Sequence, residues 1–226
     1  GDTLTLLDRP AAEPIPGYQP ARQVVFSSVY PMSSDEYPDL TKALEKLAIN
    51  DAALTFEKDS SAALGFGFRC GFLGLLHLDV IQERLQREFD IGLVISAPSV
   101  KYILTLKDGS TVDVDNPSYW PDPSTIDSAA EPYIKASILT PEEYVGPVME
   151  LCREHRSESQ TMNYLSAGRV EVSSEMPLGE VLFDFYGKLK MITRGYGSFD
   201  YEATEYRSTD IVKVDILVNK EPIDAL

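Results

Sequence analysis

The sequence predicts an α+β protein built from two tandem copies of a split β-α-β-β-α-β unit. Three observations support this. The succession strand, helix, strand, strand, helix, strand occurs twice; Glu36 to Phe72 spans 36 positions, as does Glu142 to Leu178; and the helical stretches carry apolar residues at three- and four-residue spacing between runs that alternate like strands.

Residues 2–7 alternate like an isolated strand, and a linker with Pro10, Pro14, Pro16 and Pro20 follows. Residues 23–30 read as the first strand. Asp35 and Glu36 then open a helix that carries Leu40, Leu44 and Leu47 on one face. Short strands at 53–57 and 64–69 flank a polar turn, Asp59, Ser60 and Ser61. A second helix over 72–89 places Leu78, Ile81, Leu85 and Phe89 on one stripe, and strands at 93–96 and 100–106 close the unit. Residues 107–130, rich in Asp, Pro and Ser, read as a linker. The second copy starts with a strand at 133–139, and Pro141, Glu142 and Glu143 then mark a helix start. Strands at 161–165 and 169–174 flank the turn Ser166, Ala167, Gly168. A helix over 178–193 and strands at 199–207 and 211–218 complete it. This is the ferredoxin-like arrangement, with each sheet covered by helices on one face.

Composition narrows the function. The 226 residues carry a net charge of −16, with 9 basic and 14 acidic groups up to residue 106 and 11 and 22 beyond it. Nonspecific attraction to nucleic acid is disfavoured, so any RNA contact must come from a local basic patch. Two cysteines, Cys70 and Cys152, are too few for a disulfide scaffold and suit a reducing cytosol. Neither a signal peptide nor an apolar run of about twenty residues is present. The chain opens on Gly1, which suggests a piece of a longer protein or a processed product.

The glycine-rich run at 63–74 invites a nucleotide reading that its spacing rejects. A phosphate loop needs Gly-Lys-Ser/Thr, which occurs nowhere, and a dinucleotide fingerprint from Gly65 and Gly67 needs a third glycine where Cys70 stands. Alternation of Gly65, Phe66, Gly67 and Phe68 instead gives a strand with one bare face open to close approach. Cys152 and His155 lie three apart on one helical face but lack an orienting carboxylate, so they read as structural, and two such ligands are too few for a metal. His77, among leucines, reads as a core-edge residue with one hydrogen-bond partner. Asp108, Asp113 and Asp115 lack the spacing of a calcium loop. The local exception to acidity is Lys188, Lys190 and Arg194 at the end of the last helix, followed by Gly195, Tyr196 and Gly197. Cations there complement the helix dipole, and with the aromatic residue they also suit an RNA contact. Arg69 beside the glycine run is a further RNA-contact candidate.

The run at 54–89, LTFEKDSSAALGFGFRCGFLGLLHLDVIQERLQREF, together with Glu143-Tyr144-Val145-Gly146 and the run RGYGSFDY at 194–201, closely resembles the elongation factor 4 family, also called LepA, translational GTPases related to elongation factor G. The resemblance covers nearly the whole chain. It implies that residues 1–22 end a β-barrel domain, and that 23–106 and 131–226 correspond to the third and fifth domains of elongation factor G. It implies a monomeric, cytoplasmic factor, also assigned to the cytoplasmic face of the membrane. Its partners are the ribosome, through ribosomal RNA and proteins, and tRNA-bearing complexes, and its GTP hydrolysis accompanies a proposed back-translocation of tRNA. GTP and Mg²⁺ belong to a GTPase domain outside these residues. Asn219-Lys220-Glu221-Pro222 lacks the aspartate of the guanine motif, so no cofactor or catalytic residue is carried over. Two rival classes share the fold. One is a small-molecule regulatory module; the other is an acylphosphatase-like enzyme, for which the loop Tyr30-Pro31-Met32-Ser33-Ser34-Asp35 offers no phosphate-gripping cation.

Overall fold

The computed structural model describes residues 5–13, 21–165 and 168–222. The expected strand at 2–7 and its linker lie largely outside these residues, as do Ser166 and Ala167 of one expected turn. Residues 5–13 contain only an isolated bridge between Leu6 and Arg9. Two compact units are present, dividing near Ile95 and Ser96, with residues 61–63 grouped with the second.

The first unit comprises β1 (Val25–Pro31), α1 (Tyr37–Asn50), β2 (Thr55–Ser61), β3 (Gly65–Phe72), α2 (Leu75–Phe89) and β4 (Leu93–Ile95), with strand order β2-β3-β1-β4. In the β1–β3 ladder Val25 faces Phe72 and Val29 faces Phe68, and these side chains are buried along with Leu40, Leu44 and Leu47 of α1 and Leu78, Ile81 and Leu85 of α2. Pro38 and acidic side chains occupy the start of α1, where an N–H is not needed and the dipole favours negative charge. The bare face of β3 admits a neighbour: a β-carbon on Gly67 would lie 2.4 Å from Tyr30 Cδ1, so the Tyr30 ring crosses over a glycine. Asp59-Ser60-Ser61 is strand rather than turn. Asp59 accepts hydrogen bonds from Ser28 Oγ at 2.6 Å and Tyr30 OH at 3.0 Å, so partners in β1 make a turn-prone triplet part of the sheet. The turn falls at 62–64.

The second unit contains β5 (Tyr102–Leu106), β6 (Thr111–Val114), β7 (Ile126–Pro141), α3 (Val145–Glu154), β8 (Ser159–Tyr164), β9 (Arg169–Pro177), α4 (Phe185–Ile192) and β10 (Ser198–Thr209). The order β8-β9-β7-β10 repeats that of the first unit, and β5 and β6 extend the sheet beside the first half of β7. This corrects the expected boundaries: residues 102–106 belong to the second sheet, and the expected linker contains the turn and second strand of the β5–β6 hairpin and the start of β7. Gly109, at φ 84, makes the turn, and Leu104, Val114 and Ala129 form a buried cluster against which Trp120 and Ile126 pack. β7 changes neighbours midway, from β5 up to Ala130 to β9 from Tyr133. Pro132 sits in that step, and on the other side of β7 the ladder to β10 shifts register between Ala203 and Tyr206, the partner of Pro132, an irregularity of the kind where a residue without an N–H is tolerated.

Two further expectations change. The helix expected at 178–193 is a 3-10 turn (Leu178–Val181) followed by α4, interrupted at Asp184, which takes φ 56. The strand expected at 211–218 is reduced to Leu217–Val218 (β11) paired with Glu221–Pro222 (β12), and residues 211–216 join no strand among the described residues.

Candidate functional site

The end of α4 is fixed from below and from behind. Phe185 and Leu189 are buried, and the Phe185 ring lies 5.1 Å from both Phe199 of β10 and His155 at the end of α3. The helix terminates in a Schellman turn: Gly195 N–H donates to the Lys190 carbonyl at 2.7 Å and Arg194 N–H to the Met191 carbonyl at 3.3 Å. Such a turn requires a left-handed residue after the cap, and here that residue is Arg194 at φ 50, followed by Gly195 at φ 85. Buried Thr193 locks the turn by donating from Oγ1 to the Leu189 carbonyl at 2.7 Å and accepting from Gly197 N–H at 2.9 Å. Gly197 must be glycine in this arrangement, because a β-carbon would stand 2.7 Å from Thr193 Oγ1.

Four of the candidate residues lie on α4 and the turn that ends it, and they have different tasks. Lys190 turns inward: its ammonium donates to the Gly195 carbonyl at 3.3 Å and lies 5.3 Å from the Tyr186 ring centre. Arg194 is exposed and Lys188 half-exposed, and neither forms an ion pair among the described residues. Tyr196 is 71% exposed. Tyr186 and Met191 are also exposed and join this surface without standing out in the sequence; their helical spacing around Lys188 and Lys190 is the signal that marks them. Arg69 lies elsewhere, in the first unit. It is 5% exposed and its Nη1 donates to Ser28 Oγ at 3.2 Å beside Asp59, so it contributes nothing to this surface.

The other chemical candidates are absorbed into the fold. Cys152 is buried, and burial pushes its thiol up to about 11, opposite to the shift a nucleophile needs. Buried His155 donates from Nδ1 to the Glu180 carbonyl at 2.9 Å. His77 has two partners rather than one: Nδ1 accepts from Leu73 N–H at 3.0 Å and Nε2 lies 2.9 Å from Asp51 Oδ2, so the ring ties the start of α2 to the end of α1. Among the described residues no three His, Cys, Asp or Glu side chains are gathered to hold a metal, and no helix is long and apolar enough to cross a membrane. Two grooves among the described residues lie in the second unit. One of about 410 Å³ is lined by Tyr102, Val114, Trp120 and residues 210–214. In the other, about 300 Å³, Arg156 pairs with both Glu131 at 2.6 Å and Glu180 at 2.8 Å, so these charges satisfy one another.

Comparison with known proteins places this geometry in a family. Residues 128–217, from β7 through β10, match the model described as elongation factor G C-terminus. Over all 226 residues the chain is 88% identical to elongation factor 4 2 of Rhodopirellula baltica and 62% identical to elongation factor 4 of Desulfotalea psychrophila. A solved structure from Thermus thermophilus superposes with a TM-score of 0.55 at 20% identity, covering 89% of this chain and 43% of that one, which shows a shared fold. The chain spans about 38% of the length of these two curated relatives, and with 88% identity to one of them along its entire length it belongs to the elongation factor 4 family.

Proposed function

We propose that this chain acts in translation elongation as a ribosome-contacting part of the factor, and that its second unit meets ribosomal RNA through the end of α4. One observation carries the reading: in a chain of net charge −16, Lys188 in α4 and Arg194 in the turn that ends it stand unpaired among the described residues, with exposed Tyr196 two residues beyond Arg194. Phosphate contact needs a fixed, locally positive, accessible group, and a helix end locked by Thr193 and Lys190 supplies one. In this reading the two units carry no catalytic step. They relay orientation, while GTP and Mg²⁺ are handled by the portion of the relatives this chain does not span. Movement of tRNA, including back-translocation, is the activity of the whole factor to which this contact contributes.

The test is co-sedimentation with ribosomes of the wild-type chain and of the triple variant Lys188→Ala, Lys190→Ala, Arg194→Ala. Pelleting of the wild type and failure of the variant support the reading. Equal pelleting of both removes the α4 end from the interface, and failure of both makes the units spacers for affinity that resides elsewhere.

A further inference from the structure

The α4 end carries more than charge. Tyr196 is 71% and Met191 73% exposed, an unfavourable display of apolar surface on a turn held by backbone hydrogen bonds. The Tyr196 main chain is held by its N–H to the Thr193 carbonyl at 3.0 Å and by the adjacent Gly197 bond to Thr193 Oγ1, while its hydroxyl has no hydrogen-bond partner among the described residues. Tyr186 differs, because the Lys190 ammonium lies over its ring. The Tyr196 ring therefore sits two residues from an exposed cation, Arg194, that has no ion-pair partner among the described residues. Duplex RNA presents phosphates and hydroxyls to such a surface but buries its base faces. An unpaired nucleotide offers both a phosphate and a π face.

Resting on the reading of this helix end as an RNA contact, we propose that it takes unpaired nucleotides of a structured RNA, with a base stacked on Tyr196 and the flanking phosphates on Arg194 and Lys188. Lys190 is then a positioning residue, holding the turn that presents the ring. Charge complementarity selects a polyanion, since the chain as a whole repels one and only a short, locally matched segment is accommodated.

The experiment compares binding of the chain, at low salt, to two RNA probes by fluorescence anisotropy: a short stem closed by an unpaired loop of mixed sequence, and the same stem as a blunt duplex. The looped probe binds more tightly, and Tyr196→Ala weakens it roughly tenfold or more while leaving the duplex unchanged. Tyr196→Phe keeps the ring and retains the preference. Arg194→Ala weakens both probes alike. Equal binding of the two probes with no effect of Tyr196→Ala overturns the stacking proposal and leaves a phosphate-only contact. Failure of both probes while ribosomes still pellet the chain overturns it in favour of a protein contact. Failure with ribosomes as well removes the proposed function too.

Discussion

Replacing Arg194 separates the backbone of the turn from its charge. The residue occupies the left-handed region at φ 50, which costs a side-chain-bearing residue about 1–2 kcal/mol relative to an unstrained one. Arg194→Gly and Arg194→Ala both delete the guanidinium and its interaction with the helix dipole, so they differ only in the β-carbon. Glycine relieves the strain but has a more flexible unfolded chain, an offset of about 0.5–1 kcal/mol. Arg194→Gly is therefore expected to be more stable than Arg194→Ala by about 0.5–1 kcal/mol, a difference of about 1–4 °C in melting temperature for a chain of this size. Urea and thermal unfolding of the two variants measure the difference, and ribosome co-sedimentation measures the charge. Binding falls in both variants equally, although one is the more stable. Equal stability, or a less stable glycine variant, refutes the left-handed strain at the turn; undiminished binding refutes the role of the cation.

Thr193→Val keeps the shape of a buried side chain but leaves Gly197 N–H without its acceptor, so it should cost about 1–3 kcal/mol in urea unfolding and loosen the α4 end in hydrogen exchange. Gly67→Ala drives a β-carbon toward the Tyr30 ring and toward the Val29 carbonyl, which would lie 2.6 Å away; with backbone as one obstacle, a loss of about 3 kcal/mol or more is expected, confined to the first unit. Burial raises Cys70 to about 12 and Cys152 to about 11 from 9.0, so the fold favours the neutral thiols; the resulting stability is intact below about pH 9 and is lost as pH rises toward those values. Urea midpoints between about pH 8 and 10.5 should fall more steeply in the wild type than in Cys70→Ala/Cys152→Ala, and equal slopes would contradict the burial of the thiols.

The first split unit is legible in the sequence because Leu40, Leu44 and Leu47, and again Leu78, Ile81 and Leu85, mark the faces of its two helices that the structure buries. The hairpin at 102–114 is harder to see. Asp108-Gly109 is a strong hairpin signal, but it sits among polar residues that read as a solvated linker, and its apolar support comes from Trp120 and Ile126 farther along. Asp59 reads as a turn residue because its partners, Ser28 and Tyr30, stand 31 and 29 positions away in sequence, where no local propensity reaches. At the candidate site the residue types are legible and their tasks are not. Whether Lys190 faces solvent or its own turn depends on the left-handed backbone at Arg194, which an arginine does not announce as a glycine would. Thr193 is hidden for a similar reason: its role appears only once the chain doubles back to Gly197.

The most direct test of the central claim is the salt dependence of ribosome binding by the wild type and by the Lys188→Ala, Lys190→Ala, Arg194→Ala variant. Cations that contact phosphates release counterions, so each one lost should reduce the slope of log affinity against log salt by roughly 0.7–0.9. Lys190 is occupied within the turn, so the predicted slope is shallower by about 1.4–1.8, from Lys188 and Arg194, together with weaker binding at low salt. An unchanged slope with unchanged affinity would contradict the claim, and would place the ribosome contact on another surface of the chain.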